Sequence, residues 1–193
     1  MIGNDVVDLK AAAKESNWRR KGFLEKVFTA RERETLSSFE DQHLMVWLLW
    51  SMKEAAYKAR QRQFSLSRSL DWHSLECSIE KITPEKASGE VRIGGISYFT
   101  DSDITSERVH TSAGNQKNIP FKNEVFEASS EAVKKELLRC TANFLSLPVK
   151  ELSFRKNSYG VPCISSDNRK IFDQFSFSDH GRFAAFSLSL RYS

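Results

Sequence analysis

Three charged side chains stand in apolar surroundings where a plain surface charge is not expected. Glu54 and Lys58 lie at i and i+4 in Trp50-Ser51-Met52-Lys53-Glu54-Ala55-Ala56-Tyr57-Lys58-Ala59, and Asp5 follows Gly3 in the opening Ile2-Gly3-Asn4-Asp5-Val6-Val7. On a helix this spacing puts Glu54 and Lys58 on one face, and an exposed pair of that kind is worth only about 0.3–0.5 kcal/mol. The neighbourhood argues for more, because Trp47, Trp50, Met52, Ala55, Ala56 and Tyr57 surround the pair with apolar and small groups. An acid in an apolar strand is costly to bury unless a metal or a donor neutralises it. Magnesium takes one or two carboxylates, several waters and substrate phosphate oxygens, so Asp5 with Glu54 is a sufficient protein share of a metal site. The chemistry this points to is phosphoryl-group transfer.

His180 sits in Ser178-Asp179-His180-Gly181, which reads as a tight turn between apolar runs. A histidine there is either structural or a phosphate contact through its ring or the turn amides. The P-loop, the Rossmann glycines and the nucleophile elbow are absent. His43, His73 and His110 have no ligand spacing.

These residues need elements to carry them. Ile2 to Leu9 reads as a short strand, with Gly3 permitting close backbone approach. Phe23, Leu24, Val27 and Phe28 recur at helical spacing, and Thr29-Ala30-Arg31-Glu32 matches a capping box opening another helix. His43 to Arg62 predicts a long helix, with Leu44, Met45, Trp47, Leu48, Met52, Ala55 and Ala59 on a wide apolar face and no Gly or Pro to interrupt it. Leu70 to Ile82, Glu90 to Thr100 and Ser106 to Thr111 predict antiparallel strands, and Ser112 to Asn123 a loop. Ser129 caps a helix running to about Leu145, with Pro148 beyond it. Leu152 to Phe154, Val161 to Ile164 and Gln174 to Leu190 return to strand character, the last divided by the Ser178 to Gly181 turn.

Composition bounds the rest. The chain has 193 residues, 40% hydrophobic and 28% charged, with 14 Phe and 4 Trp, as expected of one ordered domain with an aromatic core. Cys77, Cys140 and Cys163 show no CxxC or Cys/His clustering, which suits buried thiols in a reducing, cytoplasmic setting. No apolar run approaches the roughly 20 residues of a spanning helix. The net charge is +4, and between Lys10 and Arg33 eight basic residues face only three acids, a segment able to draw an anionic ligand or acidic protein. Nucleic acid is the weaker reading, because the aromatics follow core spacing instead of alternating with Lys or Arg on a strand.

The segments from Ile2 to Leu9 and from Trp50 to Lys58 resemble the 4'-phosphopantetheinyl transferase superfamily, the first its Gly-x-Asp strand and the second its Trp/Phe-x-x-Lys-Glu-Ala/Ser-x-x-Lys helix. Phe23 to Thr29 followed by Glu32, then Gly160-Val161-Pro162 and Phe175-Ser176-Phe177-Ser178, are similar to further family segments. The resemblance implies an α+β fold of that family, an antiparallel sheet packed against a long helix, in a single domain over 1–193 with an insertion at about 82–147. It implies transfer of the phosphopantetheine arm of coenzyme A to a serine of an apo acyl or peptidyl carrier protein, releasing 3',5'-ADP. Asp5 and Glu54 would hold Mg²⁺, Lys58 would stabilise or protonate the leaving phosphate, and Glu54 or a metal-bound water would assist removal of the serine proton. Lys53, Arg19, Arg20, Lys26 and His180 are candidates for the phosphates of coenzyme A, or, for the first four, the acidic carrier surface. Asp179 stands where the family most often has His, with His180 one place later, so a member that binds without turnover is the alternative. Val7 stands where double-module members carry another acid. The order of motifs is that of the short type, whose sites lie between subunits of a trimer, and implies a homo-oligomer unless the insertion supplies the missing half.

Overall fold

The computed structural model describes residues 1–189. Strand β1 (Ile2–Asp8) runs straight into helix α1 (Leu9–Glu15), because the Asp8 carboxylate accepts from the N–H groups of Lys10 and Ala11 and caps the helix. Helices α2 (Phe23–Val27) and α3 (Ala30–Ser38) follow, the latter opened by the expected capping box between Thr29 and Glu32. Helix α4 (Gln42–Phe64) is 23 residues long, capped by Asp41 on the Leu44 N–H and closed by Ser65 in the left-handed region. Its buried residues, among them Met45, Val46, Leu48, Leu49, Met52, Ala55, Ala56 and Ala59, exceed one stripe, so the helix is covered on several sides.

Four strands come next: β2 (Leu75–Ile82), β3 (Lys86–Ile93), β4 (Ile96–Ile104) and β5 (Arg108–Gly114). The stretch from Glu90 to Thr100, expected as one strand, is therefore two. Ile93 pairs with Ile96 across Gly94-Gly95, both at positive φ (58° and 81°), the conformation that a two-residue hairpin matching strand twist demands. The expected loop from Ser112 to Asn123 is shorter, since β5 reaches Gly114 and β6 (Phe121–Glu127) starts early. Helix α5 (Ser130–Leu145), capped by Ser129, leads to β7 (Ser153–Lys156), β8 (Pro162–Ser166), β9 (Arg169–Phe172), β10 (Phe175–His180) and β11 (Phe183–Ser189). The strand character expected for Leu190 lies outside the described residues.

The described strands form antiparallel sheets in the orders β1-β5-β4-β3-β2, β10-β11-β6 and β7-β8-β9. Helix α4 packs on the first, with Phe28, Val46, Leu48, Met52, Val91, Tyr98 and Val109 in a shared core. A second core joins α5 to the other two sheets through Val133, Leu137, Ile164, Phe172, Phe175 and Phe186. Residues 82–147 contribute β3, β4 and β5 to the sheet that contains β1, and β6 and α5 to the second core. The architecture is α+β, with antiparallel sheets against helices.

The two cores meet where edge strand β1 faces edge strand β10. An edge exposes N–H groups that need partners, and β10 supplies side chains. Ser176 Oγ accepts from the Asn4 N–H at 2.9 Å, and His180 Nδ1 accepts from the Asp8 N–H at 3.0 Å. The Asn4 side-chain amide donates to Ser178 Oγ at 3.0 Å. Residues 176, 178 and 180 thus share the face toward β1, as a period of two requires.

On its other side β1 crosses α4 at backbone distance. A Cβ on Gly3 would fall 1.9 Å from the Ala55 carbonyl oxygen and 2.6 Å from the Ala59 nitrogen. No rotamer relieves a clash between a Cβ and a backbone. Gly3→Ala is therefore expected to destabilise the chain by about 3 kcal/mol, the upper end for overpacking, read as a lowered denaturation midpoint in urea. An unchanged midpoint would show that β1 does not rest on α4 at this point.

Candidate active site

The crossing of β1, α4 and the β10–β11 connection brings charged groups together. Lys58 Nζ donates to Asp5 Oδ1 at 3.0 Å and to the Asn4 carbonyl at 3.0 Å, and Ser51 Oγ donates to the Asp5 carbonyl at 3.3 Å. The helical spacing suggested a Glu54–Lys58 pair, whereas the ammonium reaches across to the strand. Glu54 has no ion pair among the described residues.

Both carboxyls titrate above their ordinary range, and burial is the main cause of each. For Asp5 the nearby Lys58 ammonium and the Ser51 hydroxyl pull the other way. For Glu54 the Asp5 charge adds to burial, with Lys58 and Arg68 opposing. The buried Asp5 carboxylate and the half-buried Glu54, whose proton affinity Asp5 raises, are a hard, oxygen-only donor pair of net negative charge, which fits a hard divalent cation better than it fits an empty pocket. Val7 adds no third acid, which leaves such an ion's remaining positions to water and substrate.

His180 is in β10 and not in the turn: the connection is Gly181-Arg182. The expected turn over Ser178 to Gly181 therefore begins too early, and the period of the strand decides which side chain faces β1. His180 faces it, while Asp179 is exposed opposite Ala184. His180 Nε2 lies 3.4 Å from Glu15 Oε2 at the end of α1. Asp5, Glu54, Lys58 and His180 all come from one chain.

Lys53 needs a correction. Its side chain is 0% exposed, and Nζ donates to Glu32 Oε2 at 2.7 Å, the Val27 carbonyl at 2.9 Å and the Trp72 carbonyl at 3.3 Å. All three donors are occupied, so Lys53 reaches neither a nucleotide phosphate nor a carrier surface. One residue is about 100° on a helix, enough to turn Lys53 toward α3 and Glu54 toward β1. Arg19 and Arg20 are exposed with their guanidiniums over the Trp18 and Phe23 rings, and Lys26 is exposed on α2. They are available to an anion, and no described contact joins them to Asp5 or Glu54.

The sequence reading missed Arg68, whose charge acts on Glu54 from the loop after α4, where the Ser69 N–H donates to Tyr57 Oη at 2.7 Å. It also missed Asp8, which does more than cap α1, and Arg182 altogether. Their pairing spans 174 positions, for which no local signal exists. A separate group of Glu124, Glu136 and Cys140 joins β6 to α5, but the Lys122 ammonium already binds Glu124 at 2.7 Å and Cys140 at 3.2 Å. Among the described residues no helix is long and apolar enough to cross a membrane.

No curated protein sequence matches the chain significantly. A family model described as the 4'-phosphopantetheinyl transferase superfamily matches residues 1–118, a span that holds β1, α4 and the whole first sheet, and stops short of β10. With Asp5, Glu54 and Lys58 all inside a match covering more than half of its length, the chain belongs to the 4'-phosphopantetheinyl transferase superfamily and is a transferase of that type.

Proposed function

We propose that the protein moves the phosphopantetheine arm of coenzyme A to a serine hydroxyl of an apo acyl or peptidyl carrier protein, in a magnesium-dependent reaction in the cytoplasm. The superfamily implies the two substrates, and the convergence of Asp5, Glu54, Lys58 and His180 at one crossing is the observation that carries the finer reading. Asp5 and Glu54 would hold Mg²⁺, which when bound supplies charge neutralisation at the pyrophosphate. The serine oxygen forms a bond to the phosphorus that carries the pantetheine arm, the pyrophosphate P–O bond breaks, and 3',5'-ADP leaves with the electron pair. Glu54, its carboxyl raised above the ordinary range by burial, takes the serine proton. Lys58 moves its ammonium from Asp5 to the charge growing on the leaving phosphate. His180 and the exposed Arg19, Arg20 and Lys26 offer donors to the other phosphates.

Because β1, α4 and β10 belong to one chain, Asp5, Glu54, Lys58 and His180 meet without a neighbour, and a homo-oligomer, the trimer of the short type included, would add further surface to the site. The three cysteines are free and buried, which suits a reducing compartment.

The test is intact-mass measurement of a panel of apo carrier proteins after incubation with the chain, coenzyme A and Mg²⁺. The expected result is one phosphopantetheine mass added to at least one carrier, and none when the metal is chelated. No added mass on any carrier, with coenzyme A still bound, would leave a binding protein of the same family.

A further inference from the structure

The connection between β10 and β11 is tied to β1 more firmly than packing alone requires. Asp8 is 1% exposed and gathers five donors. Its Oδ1 accepts from the Lys10 and Ala11 N–H groups at 3.0 and 3.1 Å and from Arg182 Nη2 at 3.3 Å. Its Oδ2 accepts from the Arg182 N–H at 3.0 Å and from Arg182 Nε at 2.8 Å. Arg182 Nη1 continues to Glu107 Oε1 at 2.9 Å. Between His180 and Arg182 the chain passes over Asp8 at contact distance. Gly181 has φ +57°, and a Cβ there would lie 2.7 Å from Asp8 Oδ2 and 2.7 Å from the Ala11 Cβ. Only glycine suits both the conformation and the space.

The same residue that anchors Arg182 also sets the histidine. Asp8's backbone N–H donates to His180 Nδ1 at 3.0 Å. A backbone N–H only donates, so Nδ1 is the acceptor and the proton of the neutral ring belongs to Nε2. The Nε2–H then faces Glu15, an exposed carboxylate at 3.4 Å whose hold is weak enough for a substrate phosphate to displace it.

We propose that Asp8 and Arg182 are positioning residues: their ion pair docks the β10–β11 turn on β1 so that the Asp8 N–H holds His180 as the Nε2–H tautomer, a fixed donor for a phosphate of coenzyme A. The second half of the proposal rests on the transferase reading above. A lone structural ion pair would hold the turn without governing the ring.

The experiment compares the whole chain with Arg182→Ala and with Asp8→Asn, which keeps an oxygen to cap α1. Long-range ¹⁵N–¹H NMR of ¹⁵N-histidine-labelled, ligand-free protein reads the His180 tautomer, and steady-state assays read KM for coenzyme A and kcat separately. The wild type is expected to hold a single Nε2–H form. Both variants are expected to show mixed tautomers and a KM raised about tenfold, with kcat within about twofold, the loss of one charge-assisted hydrogen bond in ground-state binding. Arg182→Lys, which keeps the charge, is expected to recover part of the KM. An unchanged tautomer in both variants overturns the clamp whether or not the wild type transfers. Mixed tautomers with an unchanged KM overturn the positioning role. Failure of the wild type on every carrier removes the transferase reading instead, and leaves the NMR to decide the clamp.

Discussion

Glu54→Gln is expected to slow carrier modification about a thousandfold, in the range for removing a general base, while the chain keeps or gains thermal stability. The two effects have one origin. Burial and the Asp5 charge raise the Glu54 carboxyl above its ordinary range, so the folded chain binds this proton more tightly than the unfolded chain does. The stability such a group contributes is fully present below its ordinary titration range and is lost as pH rises through the raised value. At neutral pH, with no cation bound, Glu54 is therefore a net cost, and the isosteric amide removes it. Mg²⁺ reverses the sign by binding the ionised folded form, so it is expected to raise the melting temperature of the wild type and leave that of Glu54→Gln unmoved. Equal metal-induced shifts in both proteins would remove Glu54 from the metal site. A variant that transfers at wild-type rate would remove it from the chemistry as well.

That Glu54 and Asp5 were legible in sequence follows from what surrounds them. An uninterrupted apolar run predicts α4 to within two residues at each end, and a carboxylate amid apolar residues announces itself on helix or strand alike. Gly3 told of a close approach without telling what approaches, and the answer is the backbone of Ala55 and Ala59. Local signals fail where geometry is set at a distance or by phase. Gly94-Gly95 is a hairpin signal inside an apolar stretch, and overlooking it merges two strands into one. A turn placed at Ser178 instead of Gly181 leaves the facing of His180 undecided, although a period of two resolves it at once when the strand continues. The Asp8–Arg182 pair has no neighbour in sequence to betray it.

Lys53 is the sharpest case, because it adjoins Glu54 and was read into the same site. Lys53→Met is expected to cost about 4 kcal/mol of folding stability, the usual cost of leaving one partner of a buried ion pair uncompensated, and to lower the melting temperature by about 8–16 °C for a chain of this size. Methionine keeps most of the lysine stem, so the loss is not a cavity effect. What it strands is Glu32, 2% exposed, whose Oε1 accepts from the Cys77 N–H at 2.7 Å and whose Oε2 accepts from the Thr29 N–H at 2.7 Å. Those bonds pin α3 to β2, and an unpaired charge among them favours unfolding or water entry. The carbonyls of Val27 and Trp72 lose a donor as well. If stranded charge is the main term, adding Glu32→Gln to Lys53→Met should cost less than the two single changes combined, with a coupling of about 1–3 kcal/mol; strict additivity would refute that account. Kinetics separate this role from phosphate binding, since the Lys53→Met protein assayed well below its melting temperature should retain a KM for coenzyme A within about twofold of the wild type, whereas a lysine that holds a phosphate would raise it about tenfold or more when lost.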